Sequence, residues 1–327
     1  MNKIFLTTLI LTSITSLALA RKDYYSSTTI TSDVYDSYGV MVDYPSSAGN
    51  VSTTKGNVVI DFAEGVSLET GYFTIYGTGS SVNFLGNNNI KVSNLSIMGG
   101  AGTTGASFTA VNSTIIADQI TLREGGTSIT LTDCSTTVNG KMAINPNSTL
   151  TINGGTFIAA EFSQTGAAYK ENVADVNIIN GAKFTLTETE SYAHNNAFNI
   201  YVDSTSTFDS TQKSGFYGTL TFEAGATVDL AGDSTITDVK LIVDDITQAG
   251  DISSYFETIT MAGVELDSVL TSENFSTIVD KSTGKEYAID TDVSGNFVVG
   301  SEIPEPSTYA MIFGALALAF VVYRRRK

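Results

Sequence analysis

From Val58 onward, apolar and polar residues alternate in short segments that are separated by clusters of Gly, Asn, Asp and Ser. Alternation with a period of two is the pattern of a β-strand with one buried face. Apolar pairs recur about every eight to thirteen residues, a spacing typical of short strands joined by turns. These pairs are Ile120 and Leu122, Ile129 and Leu131, Met142 and Ile144, and Leu150 and Ile152. The pattern predicts an all-β fold.

Two architectures fit this spacing, an antiparallel β-sandwich and a β-solenoid with three short strands in each coil. Repeated units such as NSTLTINGG and GATVDLAGD favour the solenoid, and so does the scarcity of proline, since the body holds only Pro45 and Pro146. In composition the body also resembles the right-handed parallel β-helices of exported passenger proteins. We therefore predict a right-handed parallel β-helix, with the β-sandwich as the alternative.

The boundaries of the predicted segments follow changes in the alternation of apolar and polar residues. Residues 161–197 interrupt it with EFSQTGAAYKENVADV and TETESYAHNNAF, which we interpret as longer loops, and residues 285–300 form a predicted closing hairpin. The segments are a signal peptide (1–20), an N-terminal cap or flexible arm (21–57), a solenoid body (58–243), a β-rich closing region (244–300), a Pro-Glu-Pro linker (301–307), a transmembrane helix (308–323) and a basic cytoplasmic tail (324–327).

The charge of the chain excludes one class of partner. The formal net charge is −17, from 17 basic and 34 acidic residues. Five basic residues lie at the ends (Lys3 and residues 324–327), so twelve basic and thirty-four acidic residues remain between them, a charge of −22. Such a surface repels phosphate backbones, and the chain has no basic stripe, so we predict no nucleic-acid binding. Cations and neutral glycans remain compatible with it.

The N-terminus has the features of a secretory signal peptide. Lys3 is followed by an apolar run from Ile4 to Leu19, and Ala18-Leu19-Ala20 forms an A-x-A cleavage pattern. We predict export through the secretory translocase and cleavage by signal peptidase between Ala20 and Arg21. The single cysteine, Cys134, excludes an intramolecular disulfide, and we expect it to fill a small buried position.

The C-terminus combines three elements in order. Pro304-Glu305-Pro306 comes first and is followed by an uncharged segment, residues 308–323. As a helix this segment would span about 24 Å, against about 30 Å of hydrocarbon core, so it could nearly cross a membrane. A cluster of cations ends the chain, and the positive-inside rule places it in the cytoplasm. This cluster is Arg324, Arg325, Arg326 and Lys327.

These three elements resemble the PEP-CTERM protein-sorting domain of diderm bacteria, over about the last twenty-five residues. The resemblance implies a membrane-embedded exosortase as partner, which processes the chain near Pro304-Glu305-Pro306. It also implies an intermediate anchored in the inner membrane, followed by transfer to the cell surface, the outer envelope or the extracellular matrix. An exopolysaccharide would then be a further partner. An ordinary single-span anchor is the alternative interpretation of the tail.

The candidate residues for chemistry are few. The single histidine, His194, is not accompanied by a GxSxG motif that would supply a nucleophilic serine. It also cannot form a zinc site with one isolated cysteine. Asp244 and Asp245 are adjacent, which on a strand would place them on opposite faces, so we interpret them as a turn. Residues 290–296 follow the spacing of a calcium loop, but Ser301 stands where its final glutamate is expected. We therefore predict no catalytic residue, no cofactor and no metal site.

Tyrosines near the N-terminus are candidates for stacking on sugar rings, although a tyrosine-rich capping strand explains them equally well. We predict an exported structural protein of the cell surface or matrix, not an enzyme, with a polysaccharide-binding adhesin or a glycan-cleaving β-helix enzyme as alternatives. The tyrosines are Tyr24, Tyr25, Tyr35, Tyr38 and Tyr44.

Overall fold

In a computed structural model, the chain forms two parallel β-sheets that face each other across one apolar core. The described residues are 22–42, 56–98, 105–123, 125–164, 173–187, 197–210, 217–232, 234–246, 252–261, 263–265, 275–294 and 296–304.

From β1 to β21 the strands, numbered in chain order, alternate between the two sheets, so each coil contributes one strand to each sheet. Sheet 1 contains, in spatial order, β1 (Lys22–Tyr24), β3 (Val34–Val42), β5 (Ser67–Tyr76), β7 (Asn89–Met98), β9 (Thr114–Leu122), β11 (Ser135–Ile144), β13 (Thr156–Gln164), β15 (Lys183–Leu186), β17 (Thr207–Asp209), β19 (Thr227–Leu230), β21 (Ile259–Met261) and β22 (Val264–Glu265).

Sheet 2 contains, in spatial order, β2 (Thr28–Ile30), β4 (Val59–Phe62), β6 (Ser81–Phe84), β8 (Ser107–Val111), β10 (Ser128–Thr132), β12 (Thr149–Asn153), β14 (Ala174–Ile179), β16 (Ala197–Val202), β18 (Tyr217–Glu223), β20 (Thr235–Val243), β23 (Phe275–Asp280), β24 (Glu286–Thr291) and β25 (Phe297–Ile303). A single turn of 3-10 helix, Ser253–Phe256, precedes β21.

This architecture confirms the predicted parallel β-solenoid, and the β-sandwich alternative was wrong. The four apolar pairs named above are all buried in the core, as their alternation predicts. The coil differs from the expected three short strands, because one long strand of sheet 1 bends and covers two sides. In β7, Ile90 and Val92 are buried, Ser93 and Asn94 face outward in succession, and Leu95 is buried again.

Tight turns between the sheets stack on one another from coil to coil. Asn112 and Asp133 occupy equivalent turns and adopt positive φ angles of 45° and 51°, which short polar side chains tolerate best among non-glycine residues. The backbone N–H of Asn112 donates to the carbonyl of Thr132 (2.8 Å), and that of Asp133 donates to the carbonyl of Asn153 (2.9 Å). These bonds satisfy backbone groups that a turn would otherwise expose.

Phenylalanines form ladders inside the solenoid where neighbouring coils place aromatic rings one above another. Phe62 and Phe84 stack with ring centroids 4.2 Å apart, and Phe108 continues the ladder 5.5 Å beyond Phe84. Further along the axis, the ring centroids of Phe184 and Phe208 are 5.4 Å apart. Contacts between aromatic rings add to the stability that burial already provides.

Antiparallel strands close the C-terminal end. β22 pairs antiparallel with β21, and β24 pairs antiparallel with β23 and β25. The predicted closing hairpin at residues 285–300 is therefore confirmed as β24 and β25, with β25 extending to Ile303. Of the predicted loop 161–176, residues 161–164 belong to β13 and residues 174–176 to β14, because they pair in register with β11 and β12.

Candidate functional site

The C-terminal motif begins inside the folded sheet. Glu302 pairs with Tyr287, and Ile303 pairs with Glu286, both across the β24–β25 ladder. The Glu302 carboxylate also accepts a hydrogen bond from Nζ of Lys285 at 2.9 Å. Pro304 follows directly after the last residue of the strand. A residue that precedes proline favours an extended backbone, which suits Ile303 to its place in a strand.

Most residues that the sequence singles out for sorting lie outside the described part of the chain: Ala18, Ala20, Arg21, Glu305, Pro306, Arg324, Arg325, Arg326 and Lys327. The predicted signal peptide (1–20) and transmembrane helix (308–323) also lie outside it. Among the described residues, no helix is both long enough and apolar enough to cross a membrane.

A second candidate site is a groove on the outer surface of sheet 1, where the long strands bend. Two adjoining depressions of about 640 and 630 Å³ share a floor of Ser37, Gly71, Ser93 and Asp118. Gly71 adds no side chain to the floor, and a Cβ at this position would lie only 2.9 Å from the carbonyl oxygen of Ser37. A side chain there would press on the backbone of β3.

Two columns of side chains in register form the walls of this groove. The first wall follows the pairing of Tyr35 with Glu69, of Glu69 with Lys91, and of Lys91 with Ile116. The second wall follows the pairing of Tyr72 with Asn94 and of Asn94 with Gln119. We call this feature, on β3, β5, β7, β9 and β11, the bend groove. It is lined by Tyr35, Asp36, Ser37, Glu69, Thr70, Gly71, Tyr72, Lys91, Val92, Ser93, Asn94, Ile116, Asp118, Gln119, Asn139 and Lys141.

Hydrogen bonds between strands hold the polar side chains of the bend groove. Asn94 Nδ2 donates to Gln119 Oε1 at 3.3 Å, and Asn139 Nδ2 donates to Asp118 Oδ1 at 3.4 Å. Lys91 Nζ donates to Glu69 Oε1 at 2.7 Å, and this bond together with the charge of Glu69 raises the pKa of Lys91. The groove therefore presents amides and carboxylates in fixed positions.

A third candidate site is a polar cluster on sheet 2 near the C-terminal end. Glu223 Oε1 accepts hydrogen bonds from the Tyr201 hydroxyl at 2.6 Å and from Lys281 Nζ at 2.8 Å. Burial opposes ionisation of Glu223, but the hydrogen bonds from Lys281 and Tyr201 prevail and lower its pKa. Burial and the neighbouring Glu223 raise the pKa of Tyr201. We call these three residues the Glu223 cluster, in which Glu223 is hydrogen-bonded to both Tyr201 and Lys281.

The remaining sequence candidates occupy structural positions or lie outside the described residues. Asp244 and Asp245 are exposed directly after β20, as expected for a turn. Asp292 accepts hydrogen bonds from the backbone N–H groups of Ser294 and Asn296, which accounts for the calcium-like spacing as a hairpin turn. His194 lies outside the described part of the chain. Within that part, no three His, Cys, Asp or Glu side chains gather to hold a metal ion.

Cys134 lies in the turn after β10, where its side chain is 2% exposed. Its thiol lies 3.4 Å from the carbonyl oxygens of Ala110 and Thr132. Burial raises the pKa of the Cys134 thiol, so the unreactive protonated form is favoured. The predicted buried position is confirmed.

The candidate tyrosines have different surroundings. Tyr35 and Tyr38 are 68% and 55% exposed, whereas Tyr24 packs against the core and Tyr25 donates to Asp23. Tyr44 lies outside the described residues. Sequence reasoning missed Tyr72, which is 57% exposed on the second wall of the bend groove. The sequence feature that could have indicated Tyr72 is the dipeptide Gly71-Tyr72 in the middle of an otherwise alternating strand.

Comparison with known families identifies the C-terminal end. Residues 302–327 match the family model of the PEP-CTERM protein-sorting motif. The match indicates an exported protein that an exosortase processes at the membrane and that is sent to the cell surface. No curated protein and no solved structure matches the chain.

Proposed function

We propose that this chain is a structural protein of the cell surface or extracellular matrix of a diderm bacterium. Its tail serves first as a membrane anchor and then as the sorting signal that an exosortase recognises. The PEP-CTERM motif at residues 302–327 carries the proposal. The closing strand β25 runs directly into that motif, so a processing enzyme would meet Pro304 within one residue of the folded solenoid.

The proposed route begins with the secretory translocase and with cleavage by signal peptidase between Ala20 and Arg21. Residues 308–323 then hold the intermediate in the inner membrane, while residues 324–327 stay in the cytoplasm. The exosortase acts near Pro304-Glu305-Pro306 and releases the solenoid to the surface or outer envelope. We also infer a right-handed coil, because crossover connections between parallel strands are right-handed in nearly all known cases.

We propose a structural role rather than an enzymatic one. Several charged side chains in the described residues support it, because they are engaged with one another or with turns: Lys91 with Glu69, Lys281 with Glu223, and Asp280 with Ser282 and Thr283. A glycan-cleaving enzyme would need several carboxylates or basic groups that converge on one groove and remain available to substrate. The polysaccharide-binding alternative is favoured by the exposed tyrosines of the bend groove and is taken up below.

The sorting proposal is tested by intact mass and terminal-peptide mapping of the protein from membrane and surface fractions. We expect the surface form to lack Lys327 and to begin at Arg21. Replacing Pro304, Glu305 and Pro306 together with alanine should leave the full tail attached and the protein in the membrane fraction.

A matched control replaces Pro146, which lies between β11 and β12, with alanine and should fractionate like the wild type. Replacing the four terminal cations (residues 324–327) with glutamine separates anchoring from recognition, because it weakens the orientation signal and leaves the Pro-Glu-Pro intact. Retention of Lys327 on all surface protein, with unchanged fractionation of the alanine variant, would contradict the proposal.

A further inference from the structure

Two tyrosine rings lie uncovered on the bend groove. Tyr35 and Tyr72 are 68% and 57% exposed, although burial of aromatic side chains is a main source of stability in folded proteins. The neighbour of Tyr72 on β3 is Gly39, which has no side chain to cover the ring. A Cβ at Gly39 would lie 3.4 Å from Cβ of Tyr72. The absence of a side chain at position 39 thus contributes to the exposure of Tyr72.

The polar groups beside these rings suit the recognition of hydroxyl groups. The amides of Asn94, Gln119 and Asn139 each offer both a donor and an acceptor, and the carboxylate of Asp118 offers acceptors. Asn94 is hydrogen-bonded to Gln119, and Asn139 is hydrogen-bonded to Asp118. These side chains are therefore held in place before a ligand binds. Such preorganisation lowers the entropy cost of binding.

The shape of the bend groove fits an extended polymer. The groove crosses five neighbouring strands of sheet 1, from β3 to β11, and its two depressions share one floor. Neighbouring strands lie about 4.8 Å apart, so the groove extends about 19 Å along the solenoid axis. The strand spacing is close to the length of one sugar ring in a linear chain. Successive rings could therefore meet side chains at equivalent positions of successive coils.

The charges of the bend groove select against a polyanion. Glu69 is paired with Lys91 at 2.7 Å, and Lys141 is paired with Glu161 at 3.5 Å, so these lysines are partly neutralised. Asp36 and Asp118 add two carboxylates to the lining. The whole chain carries a formal charge of −17. Anionic polymers would be repelled, whereas an uncharged polymer pays no such electrostatic cost.

We propose that the bend groove binds an extended, uncharged polysaccharide, with Tyr35 and Tyr72 stacking on sugar rings and the amides of Asn94, Gln119 and Asn139 bonding to hydroxyl groups. The inference deepens the proposed surface role by naming a ligand class. It is tested on purified protein in solution, so its failure would leave the sorting proposal standing.

The experiment is affinity electrophoresis of the full chain in detergent through gels that contain glucomannan, mixed-linkage β-glucan, galactan, dextran, alginate or chitosan. We expect retardation by at least one of the four neutral polymers and none by the polyanion alginate. Tyr72→Ala and Tyr35→Ala should each weaken retardation by about tenfold, the loss typical of truncating an aromatic anchor. The thermal midpoints of both variants should stay within about 2 °C of the wild type, because both rings are exposed.

Tyr38→Ala is the matched control, since Tyr38 is 55% exposed and lies on β3 with Tyr35 but lines neither depression. We expect it to change retardation by less than about twofold. Absence of retardation by all four neutral polymers would overturn the proposal. So would preferential binding of alginate or chitosan, or a Tyr38→Ala loss as large as that of Tyr72→Ala.

Discussion

Two Glu–Lys pairs on this solenoid have nearly the same length and different surroundings. Nζ of Lys91 lies 2.7 Å from Glu69 on the wall of the bend groove, and Nζ of Lys281 lies 2.8 Å from Glu223 near the C-terminal end. The Glu69 side chain is 53% exposed and the Glu223 side chain only 10%. Water screens the first pair and is largely excluded from the second carboxylate, so equal distances do not mean equal stabilisation.

The tyrosines beside these pairs differ in the same way. Tyr201 donates its hydroxyl hydrogen bond to Glu223, so it belongs to the structural network. Tyr35 lies next to Glu69 in register, but its ring is 68% exposed and lines the bend groove. One end of the solenoid uses a tyrosine to stabilise the fold, and the other presents tyrosines to solvent. The bend groove is therefore the region that we propose for ligand binding, whereas the Glu223 cluster stabilises the fold.

The largest expected effect comes from the core below the bend groove. Phe84→Ala removes a fully buried ring that stacks on Phe62 at 4.2 Å and lies 6.4 Å from Phe73, the residue after Tyr72. We expect a loss of about 3–5 kcal/mol in the free energy of unfolding, measured by urea denaturation. Because each coil of a solenoid contacts mainly its neighbours, hydrogen exchange should rise around β4 to β8 and stay low around the Glu223 cluster.

Phe208→Ala is the matched change in the C-terminal half, where Phe208 lies 5.4 Å from Phe184. It should raise exchange around β15 to β19 and spare the bend groove. Uniform loss of protection along the whole chain in both variants would show that the two regions are not independent.

The sequence predicts the core of this fold well because burial is encoded locally. Ile129 and Leu131 alternate with polar residues, and both side chains are buried. Short polar residues such as Asn112 and Asp133 mark turns, and both adopt the positive φ angles that such turns require. A period of two and a turn residue are features of one segment, so no knowledge of distant contacts is needed to detect them.

The bend groove could not be predicted in the same way. Tyr35, Tyr72 and Asn139 are far apart in sequence and come together only because successive coils stack in register. Loops of different length separate the coils, so the sequence does not state which outward residues align. The bend itself requires two successive outward residues, such as Ser93 and Asn94, which sequence patterning registers only as a defect in alternation.

An intermediate effect is expected at the Glu223 cluster. Glu223→Gln removes the charge that accepts hydrogen bonds from Tyr201 and Lys281, and we expect a loss of about 1–2 kcal/mol near pH 7. The pKa of Glu223 is lowered in the folded state from its ordinary value of 4.5. Its contribution is therefore fully present above that value and is lost as the pH falls through the folded pKa.

The free energies of unfolding of wild type and Glu223→Gln should consequently converge at acidic pH, as followed by urea denaturation between pH 7 and pH 3. The variant should still lose stability in acid, because hydrogen bonds from Ser282 and Thr283 lower the pKa of Asp280 as well. A constant difference between the two proteins over the whole range would show that shape, rather than charge, makes Glu223 important.

The smallest effect is expected at the exposed pair. Lys91→Gln removes the cation that bonds to Glu69, but both side chains are more than half exposed, and pairs of this kind often contribute nothing measurable. We expect the urea midpoint of Lys91→Gln to match that of the wild type in 150 mM salt, and Lys281→Gln, the matched change at the Glu223 cluster, to lower it. A larger loss in Lys91→Gln than in Lys281→Gln would reverse the comparison, because the wall of the bend groove would then stabilise the fold rather than only shape a binding surface.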